Sequence, residues 1–571
     1  MSAILGVSAL FHDSAAALLI DGEVVAAVAE ERLSRKKGDA ALPKRAIAWC
    51  LAEAGITGDA LDAVVFHENP VARASRVFVD CFRNFPESFR QFPVALREEL
   101  GSKLWVLDDL ATAVGAPREK VHPGDHHVSH AAYAFYASGA DDAAVLTVDG
   151  VGERTSTAGY EASRNGGLSS PLFQTDFPHS LGLFYAAFTA LLGFEVNEGE
   201  YKFMGLAAFG DPRFKAEVAK LAMVMADGSV QLGRRYFAYE TGTSVGYAAR
   251  MIAEFGEPRQ PGTPWELSGA RDRRYADLAA SVQEVLEERL LELAKILREK
   301  TTSNTLCISG GVALNAVAIG RLVRESGFEN VFVPPGADDA GSSIGAAYNH
   351  YAQTKGVAPK PLRNAFLGPA VDRQRAAALA EAFGLSIVTS DAPEAYVAHA
   401  IAAGKIVALA TGRAEFGPRA LGHRSLLAPP GPASVREALN RAVKHREPFR
   451  PFAPLTRDED ALRWFGAPPD GTTRFMTGLR HVPPVPNGYP EDALAAVTHI
   501  DGTARLQTVG EGFVYRVLGE LAALGLPPIV LNTSLNGRRE PICTRAEDVV
   551  AFFRDSQVDG LVVENLIITR R

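Results

Sequence analysis

Cysteine is scarce in this chain, with only Cys50, Cys81, Cys307 and Cys543 among 571 residues. They lie far apart, so neither a Cys-x-x-Cys metal site nor a disulfide framework is available, and a reducing cytoplasm is the expected location. Long hydrophobic runs are missing too. No apolar stretch approaches the roughly 18 residues that span a bilayer, and Met1–Ser8 lacks the layout of a signal peptide. Positive charge is not in excess: Lys plus Arg number 59 against 67 Asp plus Glu, a net charge of −8, and no lysine-rich tail occurs. That balance disfavours the phosphate-backbone electrostatics of a dedicated nucleic-acid binder. What is present is a globular composition, 47% hydrophobic and 22% charged, which argues against long disorder. A chain of this length is expected to hold roughly two to four domains. Small-molecule chemistry, with no membrane and no nucleic acid, is the class that remains.

The first forty residues read as strand, turn and hairpin. Ala3–Ser8 is an apolar strand, Leu10–Ser14 a polar turn, and Ala15–Ile20 and Glu23–Glu30 flank the hairpin turn Asp21-Gly22. A related start recurs at Ala143–Val148, which runs into Asp149-Gly150 and then Gly152, Thr155, Ser156 and Thr157. Two such starts predict a duplicated α/β fold with a nucleotide cleft between the halves. Between Tyr275 and Lys300, Leu278, Val282, Val285, Leu286, Leu290, Leu293 and Leu297 fall at helical spacing. Leu306–Ser309 is a strand entering Gly310-Gly311, and Val331–Val333 one entering Pro334-Pro335-Gly336. Periodicity is lost over Ala352–Pro369, the best linker candidate. Beyond it, Ile406–Ala410, Ile529–Leu531 and Leu561–Ile568 supply strands for a second α/β region.

Three segments carry chemistry. In His126-His127-Val128-Ser129-His130, a helix places the outer two histidines on one face, where both can bind a metal. Packing is the competing reading, but Asp149 and Asp338-Asp339 end strands, and carboxylates at strand ends of an open α/β sheet face the ligand crevice. Two imidazoles with two carboxylates suit iron, manganese or zinc. The pair Gly310-Gly311, with Asn315 behind it, can hold phosphate oxygens on backbone N–H groups or simply turn the chain. It is neither a Walker loop nor a complete dinucleotide fingerprint. Finally, GRAEFGPRALGHRSLL (412–427) and KHREPFRPFAP (444–454) collect Arg413, Arg419, Arg424, Lys444, Arg446 and Arg450 beside Phe416, Leu421, Phe449 and Phe452. Guanidinium forks bind phosphate and carboxylate bidentately, so this cluster reads as an anion pocket, with a solvated basic patch as the alternative. Asn532-Thr533-Ser534, after the strand Ile529–Leu531, adds neutral polar groups.

At these motifs the chain resembles the O-carbamoyltransferase family of the nodulation, cephalosporin and nebramycin type. The resemblance covers nearly the whole chain and rests on FHDSAAALLIDG, EERLSRKK, HHVSHAAYAFY, VDGVGE, KFMGLAAFG, SGGVALN, GRAEFGPRALGHRSLL, VKHREPFRPFAP and LNTSLNGRREPI, in family order. It implies an α/β chain with an actin-like ATPase (duplicated ASKHA) domain over 1–355, similar to the universal tRNA threonylcarbamoylation protein. Residues 370–571 would form a carbamoyl-adenylate-forming domain similar to the YrdC type. It implies that carbamate released from carbamoyl phosphate joins ATP, and that the carbamoyl group then passes to a hydroxyl. A water-excluding internal route would protect the carbamate. Carried over by motif, His126, His130, Asp149 and Asp339 match the metal ligands, with ferrous iron as the ion. Gly310, Gly311 and Asn315 match the nucleotide segment, with Lys202 in a cleft motif and magnesium accompanying ATP. Arg419, Lys444, Arg450, Arg505, Asn532 and Ser534 match the carbamoyl phosphate pocket. His12 matches the base for the acceptor hydroxyl and Lys37 a neighbouring cleft lysine. A homodimer is implied as well. One departure is the short turn Ser8-Ala9-Leu10 before Phe11-His12, which lacks the extra acidic residue of some members.

Two other functions compete. A tRNA threonylcarbamoyl-type transferase shares both domains, but the acidic net charge and the domain order count against it. A non-catalytic nucleotide-binding scaffold would be free to lose His12, the metal positions or the cationic pocket, and this chain keeps them. For the acceptor, Phe78, Phe82, Phe85, Phe89 and Phe92 recur at spacings of four and three, and Arg76, Arg83, Arg90 and Arg97 every seven, with Pro86 and Pro93 interrupting. This seam either docks on the core or walls the acceptor cleft near His12. A wall of this kind would favour a polyketide macrolide or its sugar.

Overall fold

The computed structural model describes residues 2–242, 245–444, 446–447 and 449–571, and Ala442 through its backbone only. His445 and Pro448 of the KHREPFRPFAP motif therefore lie outside the described residues. The chain divides into two compact units, Met1–Ala27 with Gly38–Arg363, and Val28–Lys37 with Asn364–Arg571. The short segment Val28–Lys37 thus leaves the N-terminal part and joins the second unit, which no local sequence signal announces. Among the described residues, no helix is long and apolar enough to cross a membrane.

The first unit is built on two sheets of one topology. In the first, Glu23–Ala29, Ala15–Ile20, Ala3–Ser8, Ala63–Phe66 and Val121–Pro123 lie side by side in that order. Ala3–Ser8 pairs antiparallel with Ala15–Ile20 and parallel with Ala63–Phe66. In the second, Gly167–Leu168, Thr155–Ser163, Asp142–Val148, Thr305–Ser309 and Asn330–Phe332 repeat the order of three meandering strands followed by two parallel ones. The repeat follows from sequence: each unit opens on an apolar strand and a tight hairpin, and later strands return parallel through crossover helices.

Helices His126–Ser138 and Asp339–Lys355 cross at very short range between these sheets. A Cβ on Gly345 would lie 1.8 Å from Ser129 O, and one on Gly6 would lie 1.9 Å from Ser343 O. Only glycine permits such backbone approach. Both helices are N-capped by aspartate: Asp125 accepts from Val128 N and Asp338 from Ala340 N. Asp339 therefore opens a helix. It does not end a strand, because the strand Asn330–Phe332 stops before the Pro334-Pro335-Gly336 turn. The helix Asp339–Lys355 also takes up the first residues of the expected linker.

The aromatic segment departs from its expected form. Pro70–Arg83 is a helix, Glu87–Arg90 a short 3-10 turn and Phe92–Gly101 a second helix, as Pro86 and Pro93 dictate. Phe82, Phe85 and Phe89 are 69%, 66% and 65% exposed. They neither dock on the core nor make one continuous helical stripe.

The second unit contains an eight-stranded mixed sheet, in the order Ser386–Thr389, Leu566–Thr569, Gly560–Val563, Val407–Ala410, Arg424–Ala428, Ile529–Ser534, Ala453–Arg457, Gln507–Val509. Apolar clusters cover both faces. One gathers Trp464, Phe553 and Leu561, the other Val397, Leu518 and Val530.

Candidate active site

In the first unit the crossing helices bring His126, His130, Asp149 and Asp339 together, all buried. His126 Nε2 lies 3.0 Å from Asp149 Oδ2 and 3.6 Å from Asp339 Oδ1. His130 Nε2 lies 3.9 Å and 3.4 Å from the same two oxygens. An ion bonded at about 2.0–2.2 Å to N and O donors separates them by roughly 3–3.5 Å, so the donor set has the right size. The surrounding hydrogen bonds fix one ring. Ser309 Oγ donates its single proton to Ala337 O, and lies 3.1 Å from His130 Nδ1. His130 Nδ1–H must then be the donor, which leaves the Nε2 lone pair aimed at two carboxylates. His130 Nε2 and Asp339 Oδ1 are both buried without a hydrogen-bond partner. A lone pair facing carboxylates is repulsive unless a cation stands between them, so the residues fit a divalent ion. When bound, such an ion would act as a Lewis acid on an oxygen ligand. Gly311 N–H donates to Asp149 Oδ1 at 2.8 Å and orients that carboxylate.

Electrostatics agree. Burial works to raise the Asp149 carboxyl, but the hydrogen bond to His126 and the neighbouring His130 hold it well below its ordinary value. Burial opposes the charged form of His126 as well, yet Asp149 and Asp339 raise it to about 10. His12 stands at the edge of this group, with Nδ1 2.9 Å from Asp13 Oδ2 and Nε2 3.9 Å from Asp339 Oδ2. Burial pulls its pKa down, but Asp339 and then Asp13 outweigh burial and raise it to about 10. A bound cation would cancel that acidic field and free the imidazole to accept a proton.

A cleft of about 300 Å³ reaches this group and is lined by His67, Glu68, His126 and Asp339 together with Phe11, Phe177 and Tyr239. Its far wall comes from the two helices of the aromatic segment, but through Arg73, Arg76, Asp80, Glu98 and Glu99. Phe82, Phe85 and Phe89 are absent from the lining, and Arg83, Arg90 and Arg97 are exposed. The expected aromatic and cationic wall is thus replaced by paired carboxylates and cations, such as Arg73 with Glu68 and Glu99.

The remaining expected residues divide. Asn315 accepts from Ala318 N as a helix cap and exchanges two amide hydrogen bonds with Gln283. Gly310 N–H donates to Ala337 O at φ +99°, where a Cβ would meet Val148 O at 2.3 Å. Lys202 lies on the helix Glu200–Ala207 with Nζ 6.0 Å from the Tyr201 ring centre. Lys37 belongs to the second unit, where Nζ donates to Glu31 at 3.2 Å.

In the second unit Arg505 feels the positive charge of Arg419, Arg446 and Arg450, and Lys444 that of Arg446 and Arg450, while Arg450 also lies 3.8 Å from Glu447 Oε2. Burial and then these cations press the Arg505 guanidinium well below its ordinary pKa, and do the same to the Lys444 ammonium. Arg505 Nε and Asn532 Oδ1 are buried without a partner. Lys444 Nζ donates to Ser534 O and to Asn536 Oδ1, the latter at 2.9 Å. Asn532 Nδ2 donates to Ala420 O and Gln507 Oε1. Arg424 and Arg413, grouped with the anion cluster by sequence, serve the loop instead. Arg424 is fully buried and donates to Thr411 O, Gly412 O and Pro369 O, and Arg413 donates to Gly368 O. Glu415, which sequence reasoning passed over, accepts from the N–H groups of Leu421 and Arg424 and ties the loop down. A lone acid inside a glycine-punctuated basic loop was the available signal.

A family of carbamoyl-transferring enzymes is defined by matches on both parts of the chain. Residues 3–348 match the model of the carbamoyltransferase N-terminus and residues 398–570 that of the carbamoyltransferase C-terminus. The chain belongs to the carbamoyltransferase family and is a transferase. An uncharacterized protein of Synechocystis sp. is 38% identical over 100% of this chain and 97% of its own length. Nodulation protein NolNO of Sinorhizobium fredii is 35% identical over 98% of this chain and 79% of its own length. The 3'-hydroxymethylcephem-O-carbamoyltransferase of Amycolatopsis lactamdurans is 34% identical over 49% of this chain and 52% of its own length.

Proposed function

We propose that the protein is an ATP-dependent O-carbamoyltransferase that carbamoylates a hydroxyl of a secondary metabolite. The observation that carries the reading is the cationic pocket around Arg505, in a chain whose two parts both match carbamoyltransferases. Arg505 Nε and Asn532 Oδ1 are buried there without a partner, and Arg505 and Lys444 feel the positive charge of the neighbouring arginines, an environment that favours an anion. Carbamoyl phosphate is our ligand for it, with Asn532 and Ser534 as the neutral hydrogen-bonding groups. In this reading carbamate released there joins ATP as carbamoyl-adenylate, with loss of pyrophosphate, in a domain of the YrdC type.

The first unit would complete the transfer. Its duplicated sheets support an actin-like assignment, with Lys202, Gly310, Gly311 and Asn315 on the nucleotide side and magnesium accompanying ATP. His126, His130, Asp149 and Asp339 would hold ferrous iron, and His12 would take the proton of the acceptor hydroxyl. The acceptor enters the 300 Å³ cleft. The cephem enzyme, whose name states a hydroxymethyl acceptor, supports a small-molecule hydroxyl here. A polyketide macrolide has lost its particular support, since the phenylalanines that argued for it do not line the cleft. The test is incubation with carbamoyl phosphate, ATP and a panel of hydroxylated metabolites. Acceptor-independent pyrophosphate release and a mass gain of one carbamoyl group on one of them are the expected results. Neither signal, with folded and metal-loaded protein, refutes the reading.

A further inference from the structure

The cleft lining holds a second convergence of donors, two of which the transfer scheme does not use. His67 and Glu68 follow the strand Ala63–Phe66 and, with His126, each place one donor atom within 4.8 Å of the others. His67 and His126 are each 2% exposed and Glu68 6%. The hydrogen bonds assign the His67 ring. Ser342 Oγ donates to Asp339 O and lies 2.8 Å from His67 Nδ1, so Nδ1–H is the donor and Nε2 keeps its lone pair. That Nε2 is buried with no partner. His126 turns Nε2 toward Asp149 and leaves Nδ1 equally buried and unpartnered. Two orphaned ring nitrogens beside one carboxylate are costly in a native interior unless a ligand satisfies them.

We propose that His67, Glu68 and His126 form a second divalent-cation site next to the first. The two sites share only His126, whose ring nitrogens would serve one ion each as an imidazolate, both ring protons leaving to solvent as the ions bind. Arg73 donates to Glu68 Oε1 at 2.8 Å and fixes that carboxylate. Two nitrogens and one carboxylate select manganese, iron, cobalt or zinc over magnesium and calcium. Three protein ligands leave positions open, the arrangement of ions that take a substrate oxygen. All three residues line the cleft, so the open positions face it.

The test strips the purified full-length protein with a chelator, reloads it with Mn²⁺, Co²⁺ or Zn²⁺ alone, and counts bound ions by plasma mass spectrometry. Electron paramagnetic resonance of the Mn²⁺ form gives an independent readout. Two ions per chain and a coupled Mn²⁺ spectrum are expected, falling to one uncoupled ion in His67→Ala and in Glu68→Gln. One ion per chain at saturation in the wild type overturns the proposal and leaves the trio as a hydrogen-bonding subsite for a hydroxyl. Two ions that persist in both variants overturn it by placing the second ion elsewhere, and no bound ion overturns both sites. The count needs no acceptor and no turnover, so it fails independently of the carbamoyl-transfer reading. Were His67→Ala not to fold, the wild-type count and Glu68→Gln would still decide.

Discussion

In the first unit two imidazoles face two carboxylates across a buried centre, whereas in the second unit the charged neighbours of Arg505 are all cations. The two arrangements are opposite in sign. The quartet offers lone pairs and anionic oxygens, a donor set that fits a cation. The pocket offers N–H groups and positive charge, which in the proposed reading serve an anion. The contrast extends to what fixes each site. Ser309 at a strand end and Gly311 in the turn after it orient the quartet through single hydrogen bonds, while Glu415, Gln507 and Arg424 hold a loop. A metal centre needs donor positions held to fractions of an ångström, whereas an anion pocket tolerates a loop provided its charges converge.

Breaking the first site has the largest expected effect. His126→Ala should lose the bound ion and lower carbamoyl transfer by about a hundredfold or more, since a bound cation contributes several kcal/mol to charge stabilisation. Metal content and carbamoylated product measure the two losses. Breaking the second site should cost less. Arg505→Ala or Arg450→Ala removes a charge-assisted contact of about 1.5–3 kcal/mol, so carbamoyl phosphate turnover should fall at least about tenfold. Unchanged turnover in both would make the cluster a solvated basic surface.

The pocket has a pH signature of its own. Lys444 is held well below the ordinary lysine value by burial and then by Arg446 and Arg450. An anion favours the charged lysine, so binding is linked to proton uptake where Lys444 titrates and should weaken as pH rises through that range. Calorimetry of carbamoyl phosphate binding in buffers of different ionisation heat measures the uptake. The same depression acts on folding. The unfolded chain binds more protons between the lowered and the ordinary value, so this lysine's penalty fades as pH rises through that window.

Smaller effects sharpen the comparison. Asn315→Ala removes a helix cap and the Gln283 pair and should lower stability by about 1–2 kcal/mol in denaturant titration. If it also weakens nucleotide binding, Asn315 serves both tasks. Phe82→Ala should change stability by less than about 0.5 kcal/mol, because its ring is exposed. A loss of several kcal/mol would restore the docking reading of that segment.

Much of the site was legible because its residues sit at sequence boundaries that physics marks. His126 and His130 share a helix face, and Asp149 follows a buried strand. Arg419, Lys444 and Arg450 crowd two short loops. What was not legible depended on long-range contact. The same strand-end rule that selected Asp149 applies to Glu68 after Ala63–Phe66, but nothing local shows that His67 and Glu68 converge on His126. Arg424 looked like an anion ligand in the string, and only the backbone carbonyls around it reveal a structural role. The outward phenylalanines misled for a related reason. Their spacing fits a helix, but Pro86 and Pro93 break the segment and turn the seam to solvent.

The central claim is that the two sites perform separable steps. Carbamoyl phosphate-dependent pyrophosphate release from ATP, measured in the His126→Ala protein without acceptor, tests it most directly. Release at close to the wild-type rate, with transfer to any acceptor abolished, is the predicted result. Loss of both in a protein that remains folded would contradict the division of labour.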